Sequence, residues 1–332
     1  MRTGWRFVGL AAVVLFCVCL DPARCRAFNQ GRVGINLGLT SFFDGFGKPD
    51  EGFVYQSYFQ YGWARQINDH AGNKIEAFKN TQIDSAVWLN QMVYFLPETL
   101  FGGKARLGFN FVLPIVGFRT HFDQGGPILT SNGAGLGDVT IGPLVQFTPI
   151  MRDGKPFFVH RLGLDWFVPT GKYDPDRNIN QGNNYTSFNP SWAATILPLH
   201  HVEISLRLNY MYNWVNDRPT NPPRGLKAVN ARAGQDVWLN FAASYEVLEG
   251  LHLGVNGYYY KQITDDRFKL EDGSYTLGKA QGEARSQIVG IGPGGHYDIG
   301  HRDLFFANFY FQTGVVWRPP TNQLNVRYIH SF

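Results

Sequence analysis

Histidine and serine are the residue types in this chain that could support hydrolysis, and their spacing argues against it. The chain has nine histidines, and His201 and Ser205 lie four residues apart in a strand-like segment. A rise of about 3.3 Å per residue along a strand separates them too far for a direct hydrogen bond. A nucleophilic serine needs its base within such a bond and a third group to orient that base. We therefore predict no catalytic residue.

Two polar segments could bind an ion, and neither completes the pattern that such a site requires. The glycine-rich run Gly135–Pro143 lacks the helix and the lysine of a phosphate-binding loop, so it is interpreted as the start of a strand. Four alternating residues further on resemble the beginning of a calcium loop: Asp174, Asp176, Asn178 and Asn180. Ile179 stands where that loop needs glycine, and Tyr185 stands where it needs an acid. A solvated external loop is expected instead, with no metal and no cofactor.

A third set of charged and aromatic residues shares one phase of several alternating segments, and we predict that it lines an internal passage. The predicted lining residues are Tyr58, Trp88, Arg106, Arg161, Asp165, Glu203, Arg207, Asp236, Trp238, Tyr258 and Tyr260. The charges are of both signs, so they either pair as a structural network between strands or contact a ligand. The aromatic rings suit small apolar ligands, or they fill a narrow barrel.

In the segments that carry these residues, apolar and polar side chains alternate, as they do in β-strands with one apolar face. In the segment 201–214, apolar side chains occupy every second position and end in Tyr212 and Trp214. Side chains alternate across a strand, so the polar set between them forms the other face. An apolar face that ends in aromatic residues is typical of a strand crossing the outer membrane.

Twelve such segments predict a transmembrane antiparallel up-and-down β-barrel of the bacterial outer-membrane type. Long and short connections alternate between them, as expected for external loops and periplasmic turns; the exception is 314–321, which should be external and is short. The predicted segments are 53–64, 81–95, 104–117, 137–148, 157–168, 189–197, 201–214, 235–248, 251–263, 284–298, 304–313 and 322–332.

The segments outside the barrel are predicted from composition. Residues 1–27 have a basic start and a short apolar run, which indicate a signal peptide. All three cysteines lie within it, so the predicted mature chain has no thiol chemistry. Residues 28–52 are glycine-rich and are expected to be a periplasmic lead-in or an insert in the barrel mouth, before the barrel at 53–332. A net charge of +4 without a basic patch indicates no nucleic-acid partner.

The end of the chain indicates how the barrel is assembled. The last segment alternates and ends in Phe332, which resembles the signal read by the outer-membrane assembly machinery, although His330 departs from the usual residue type. We therefore expect that machinery as a partner. Outer-membrane lipid, lipopolysaccharide and small apolar solutes are the other expected partners.

Three motifs in order resemble the MetA-pathway phenol-degradation (SphA-like) family of outer-membrane proteins. They are GLGDVTIGP from Gly135, PTGKYDPDRN from Pro169 within a run to Tyr185, and GYYYKQITDD from Gly257. The resemblance covers roughly residues 50–332. It implies a barrel that passes hydrophobic or aromatic compounds across the outer membrane. A general small-solute porin is the alternative, and a structural, adhesive or enzymatic barrel is a third possibility.

Overall fold

Twelve long strands pair antiparallel with their neighbours, and the first strand closes the ring on the last. This arrangement is seen in a computed structural model that describes residues 35–48, 50–220, 227–277, 285–300 and 302–332, so the predicted signal peptide lies outside the described residues. The predicted fold is confirmed. The strands are β1 Gly52–Ala64, β2 Gln82–Leu100, β3 Ala105–His121, β4 Val139–Phe147, β5 Lys155–Val168, β6 Ser187–Leu199, β7 Val202–Asn213, β8 Asp236–Leu248, β9 Leu251–Gln262, β10 Gln287–Asp298, β11 Asp303–Val316 and β12 Asn322–Ser331.

The connections sort by length to the two ends of the barrel. One end carries long loops, and the other end, where β1 begins and β12 finishes, carries tight turns such as 200–201 and 249–250. In outer-membrane barrels the long loops are external and the short turns are periplasmic. The connection 317–321 remains the exception, because it is external and short. Short additional strands lie at Ala134–Leu136 and Ile150–Arg152, and in an outer sheet described below.

The outer face of the barrel is apolar, as the alternation predicts. In β7, Leu208 is 51% exposed whereas its neighbour Asn209 is 2% exposed, so successive side chains face opposite sides of the wall. Aromatic side chains such as Phe109, Trp166 and Tyr259 are also exposed on this surface. No helix among the described residues is long and apolar enough to span a bilayer.

Strand β2 has the opposite phase from the predicted one. Trp88 is directly opposite Phe59 on β1 and is 45% exposed, so it lies on the outer face and not in the lumen. Asp84 shares this outward phase and bonds Arg65 at 2.9 Å. The prediction was wrong because β2 is apolar on both faces: aliphatic side chains including Leu89 point inward, where they pack against other buried apolar residues.

Candidate functional site in the barrel lumen

The lumen is occupied by residues 35–48, which we call the luminal segment. At the long-loop end, Trp238 Nε1 donates a hydrogen bond to the carbonyl oxygen of Asn36 at 2.9 Å. At the short-turn end, the ammonium group of Lys48 donates to the carbonyl oxygen of Phe332. The segment therefore runs along the lumen through most of the barrel's height, deeper than an insert confined to the mouth.

A buried ion pair holds the middle of the luminal segment against the wall. Arg207 on β7 donates to both carboxylate oxygens of Asp44, at 2.7 Å from Nε and 2.5 Å from a terminal nitrogen. Arg161 on β5 lies 3.5 Å from the same carboxylate. Asp44 is therefore a carboxylate between two arginines.

Neighbouring strands bind the backbone on both sides of Asp44. Glu203 accepts hydrogen bonds from the backbone N–H of Phe43 and from the Ser244 hydroxyl, each at 2.9 Å. Thr195 Oγ1 accepts one from the N–H of Gly45, also at 2.9 Å. A Cβ on Gly45 would lie 2.4 Å from a wall carbonyl, so only glycine allows this close approach.

Predicted lining residues near the long-loop end pack against the luminal segment. Trp238, Tyr258 and Tyr260 belong to one buried cluster that also contains Ile35 and Leu37. The Tyr260 hydroxyl donates to Asp236 at 2.5 Å, and Tyr258 accepts a hydrogen bond from Gln312 at 2.7 Å. In this conformation the aromatic rings fill the lumen and hold the segment, and they do not line an open path.

Tyr58 and Asp165 line a cavity of about 100 Å³ that lies beside the luminal segment. Asn110 donates to Asp165 at 2.9 Å, and the Tyr58 hydroxyl lies 2.7 Å from the amide oxygen of Gln56. Arg161 and Arg207 also reach this cavity, whereas Arg106 does not. Arg106 instead donates to the carbonyl oxygens of Leu96 and Pro97 near the short-turn end, at 2.5 and 2.8 Å.

A second cavity of about 1120 Å³ lies at the short-turn end of the lumen. Its lining includes Asp44 and Arg161, so the ion pair stands between this cavity and the smaller one. The imidazole rings of His252 and His296 stack at 4.4 Å along its wall, and Phe43 lies edge-on to both rings.

On one side of the lumen apolar side chains are interspersed with polar ones such as Gln91 and Asn110, and the sequence-based prediction missed this apolar set. Leu89, Val112 and Leu144, from β2, β3 and β4, line the smaller cavity, while Val93 and Phe95 on β2 line the larger one. These side chains form an apolar wall that reaches both cavities. The available signal was the aliphatic set of β2. The predicted inward position of Trp88 places that set on the lipid face.

Side chains considered for catalysis or metal binding are engaged elsewhere. His201 Nδ1 lies 2.7 Å from Glu246 at a short turn, while Ser205 is buried in the lumen and its hydroxyl lies 2.6 Å from that of Thr195. Asn180, in the loop that resembles a calcium site, bonds the backbone of Asp174 within the loop. Within the described part of the chain, no group of three or more His, Cys, Asp or Glu is arranged to hold a metal.

Comparison with known proteins identifies a family and similar folds. The family model described as "Putative MetA-pathway of phenol degradation" matches residues 64–328. An outer membrane channel from Pseudomonas putida F1 superposes with a TM-score of 0.70 at 15% identity, covering 87% of this chain and 98% of that chain. The transport unit of the autotransporter AIDA-I from Escherichia coli gives a TM-score of 0.48 at 10% identity, covering 84% and 90%. No curated protein matches the sequence.

Proposed function

The chain belongs to the MetA-pathway phenol-degradation family of outer-membrane β-barrels, and from that premise we propose that it is a channel for small hydrophobic or aromatic molecules. The family and the barrel place the protein in the bacterial outer membrane. The proposal concerns which molecules pass through the barrel, and it rests on the residues that line the lumen.

The apolar wall is the observation that carries this proposal. The interior of an outer-membrane barrel is ordinarily polar, so aliphatic side chains there need an apolar contact, and Leu39 of the luminal segment supplies part of it to Leu89. Leu89, Val112 and Leu144 also line the smaller cavity, together with polar groups such as Asn110 and Asp165. A mostly apolar surface with a few placed polar groups is the usual environment for a small organic ligand.

A general porin is less well supported, because a wide aqueous path is absent from the described lumen. The luminal segment fills the barrel between the two cavities, and the pair of Asp44 with Arg207 closes the space between them. A small molecule that enters one cavity reaches the other only if the segment shifts. The apolar wall offers such a molecule apolar contacts at both cavities during that shift, whereas a sugar would lose hydrogen bonds to water there.

The apolar wall can be tested at Leu89, which is buried on the inner face of β2. Leu89→Asn replaces an isobutyl group by an amide and removes about 1–2 kcal/mol of apolar contact, which is about a tenfold loss of occupancy. Uptake of radiolabelled toluene or phenol should fall accordingly, in cells that lack other channels and at matched surface expression. Uptake of a small sugar should change little.

Leu89→Met is the matched control, because it keeps an apolar side chain of similar volume and should preserve aromatic uptake. If Leu89→Asn leaves aromatic uptake at the wild-type rate, the apolar wall does not contact the solute. If sugar and aromatic uptake both depend on the protein to the same degree, the general porin is the better description.

A further inference from the structure

The long-loop end carries a small outer sheet that is separate from the barrel wall. It is built from four short strands, Val215–Asn216, Ala228–Arg232, Arg267–Leu270 and Tyr275–Leu277, paired antiparallel in that order. The sheet follows β7 and β9 directly in the chain, so it stands above that side of the barrel.

One face of the outer sheet is basic. Arg232 is directly opposite Arg267, and Lys269 is two residues further along the same strand, so all three side chains share one face. The other face is buried, with Phe268 and Ala231 almost inaccessible to solvent. Like charges directly opposite each other on adjacent strands are destabilising unless an anion lies between them.

The basic face points outward, above the lipid-facing surface. The guanidinium group of Arg232 lies over the Tyr212 ring, 4.4 Å from its centroid. Tyr212 in turn packs edge-on against Trp214, which is 43% exposed, at 4.9 Å. Such a pair of aromatic rings is typical of the membrane interface of an outer-membrane barrel. The three bases therefore stand immediately above the level at which acyl chains begin.

These bases differ from those on the opposite rim in having no acidic partner. At the ends of β1 and β2, Arg65 pairs with Asp84, and in the following loop Lys74 pairs with Glu76, each at 2.9 Å. Among the residues that the structure describes, no carboxylate lies within ion-pair distance of Arg232, Arg267 or Lys269. Among the described residues the basic face thus holds three bases without an acidic partner, whereas Arg65 and Lys74 on the opposite rim are paired.

We propose that the basic face binds the phosphate groups of lipid A, the lipid part of lipopolysaccharide in the outer leaflet. Arginine and lysine bind phosphate by charge-assisted hydrogen bonds. The aromatic pair below them gives the acyl chains of the same molecule an apolar surface, so one occupant satisfies both features. A free phosphate ion would use only the bases.

The test measures binding of defined lipids to the full-length protein in detergent. Bisphosphorylated lipid A should bind more tightly to the wild type than lipid A from which both phosphates have been removed. Replacing a base by glutamine should weaken binding of the bisphosphorylated lipid about fivefold for each base removed. The triple variant Arg232→Gln, Arg267→Gln, Lys269→Gln should lose the preference for phosphorylated lipid.

The control variant removes three exposed bases from the opposite rim: Lys74→Gln, Lys79→Gln and Arg119→Gln. It has the same change of charge and should keep wild-type binding. Arg267→Gln alone serves as a second test if the triple variant fails to form a heat-modifiable barrel, because Arg267 is exposed. The proposal is overturned if these variants bind as the wild type does, or if the control loses as much. It is equally overturned if inorganic phosphate displaces the lipid fully at a concentration equal to that of the lipid, because the acyl chains would then add nothing and the site would be one for a free anion.

Discussion

Replacing Asp44 by asparagine is the most informative perturbation of the lumen. The substitution keeps the size of the side chain and removes the charge that both arginines contact. Arg207 now donates two hydrogen bonds to the carboxylate, 2.7 and 2.5 Å long, and an asparagine offers one neutral acceptor oxygen in their place; Arg161 would lose its ionic partner at 3.5 Å. The side chains of Asp44, Arg207 and Arg161 are only 2%, 12% and 14% exposed, so solvent compensates the arginines only in small part in the closed conformation.

The expected change in the ratio of open to closed channels follows from the burial of this ion pair. Removing one partner of a buried ion pair costs about 3–5 kcal/mol, because the other charge is left buried and unpaired. The penalty applies while the segment is seated and is relieved when the segment shifts and water reaches the arginines. The ratio of open to closed channels should therefore rise by about 10² to 10⁴. Hydrogen bonds to Phe43 and Gly45 remain, so we expect frequent opening and not permanent release of the segment.

Single-channel conductance in planar bilayers, together with sugar flux into liposomes, measures this change. Asp50→Asn is the control, because Asp50 is exposed just outside the luminal segment and its loss changes the net charge equally. The double variant Asp44→Asn, Arg207→Gln should open less often than Asp44→Asn alone, since one of the two buried charges left unpaired is also removed. Conductance and flux of Asp44→Asn equal to the wild type, at equal insertion, would refute the role given to the ion pair.

Three further outcomes are expected. Leu208→Arg should lower the free energy of unfolding in lipid by about 2–4 kcal/mol, and Val215→Arg, near the interface, by about 0–1 kcal/mol; equal losses would contradict the depth assignment. Deleting Phe332 should reduce the yield of heat-modifiable barrel without reducing export, as immunoblots of membrane and periplasmic fractions would show, and an unchanged yield would remove it as an assembly signal. Trp238→Ala should raise sugar flux, because the hydrogen bond to Asn36 is lost, and unchanged flux would mean that this contact does not hold the segment.

The strands were predictable where the two faces differ in polarity. In β7 and β8 most inward residues are polar or aromatic and the outward set is mainly aliphatic, so alternation alone assigns the phase, and Glu203, Arg207 and Trp238 lie inward as expected. In β2 both faces are apolar, and the larger hydrophobic set was taken to face lipid. Hydrophobicity does not distinguish lipid from a buried segment, since both are apolar surroundings.

The luminal segment was beyond the reach of local sequence patterns. Ile35, Leu37 and Leu39 suggest a weak alternation, but the segment forms no long strand and its contacts are remote in the chain. Its partners Tyr310 and Asn325, which bind the carbonyl oxygen of Gly38, are 272 and 287 residues away. Hydrogen bonds from distant side chains to one backbone carbonyl produce no repeating pattern in the sequence. The glycine-rich residues 28–52 were therefore compatible with a lead-in, a mouth insert or the observed position.

The same separations determine when the luminal segment can become ordered during biogenesis. It is synthesised before any barrel strand, yet Arg207, Asn240 and Asn325, which bind it, follow by about half to nearly all of the chain. Contacts of such long range form slowly, because the loop-closure entropy must be lost first. Since β1 closes on β12, the pocket for the segment is complete only when the last strand is in place. A segment that is synthesised before every barrel strand is therefore among the last parts of the chain to fold, because the closed ring provides its contacts.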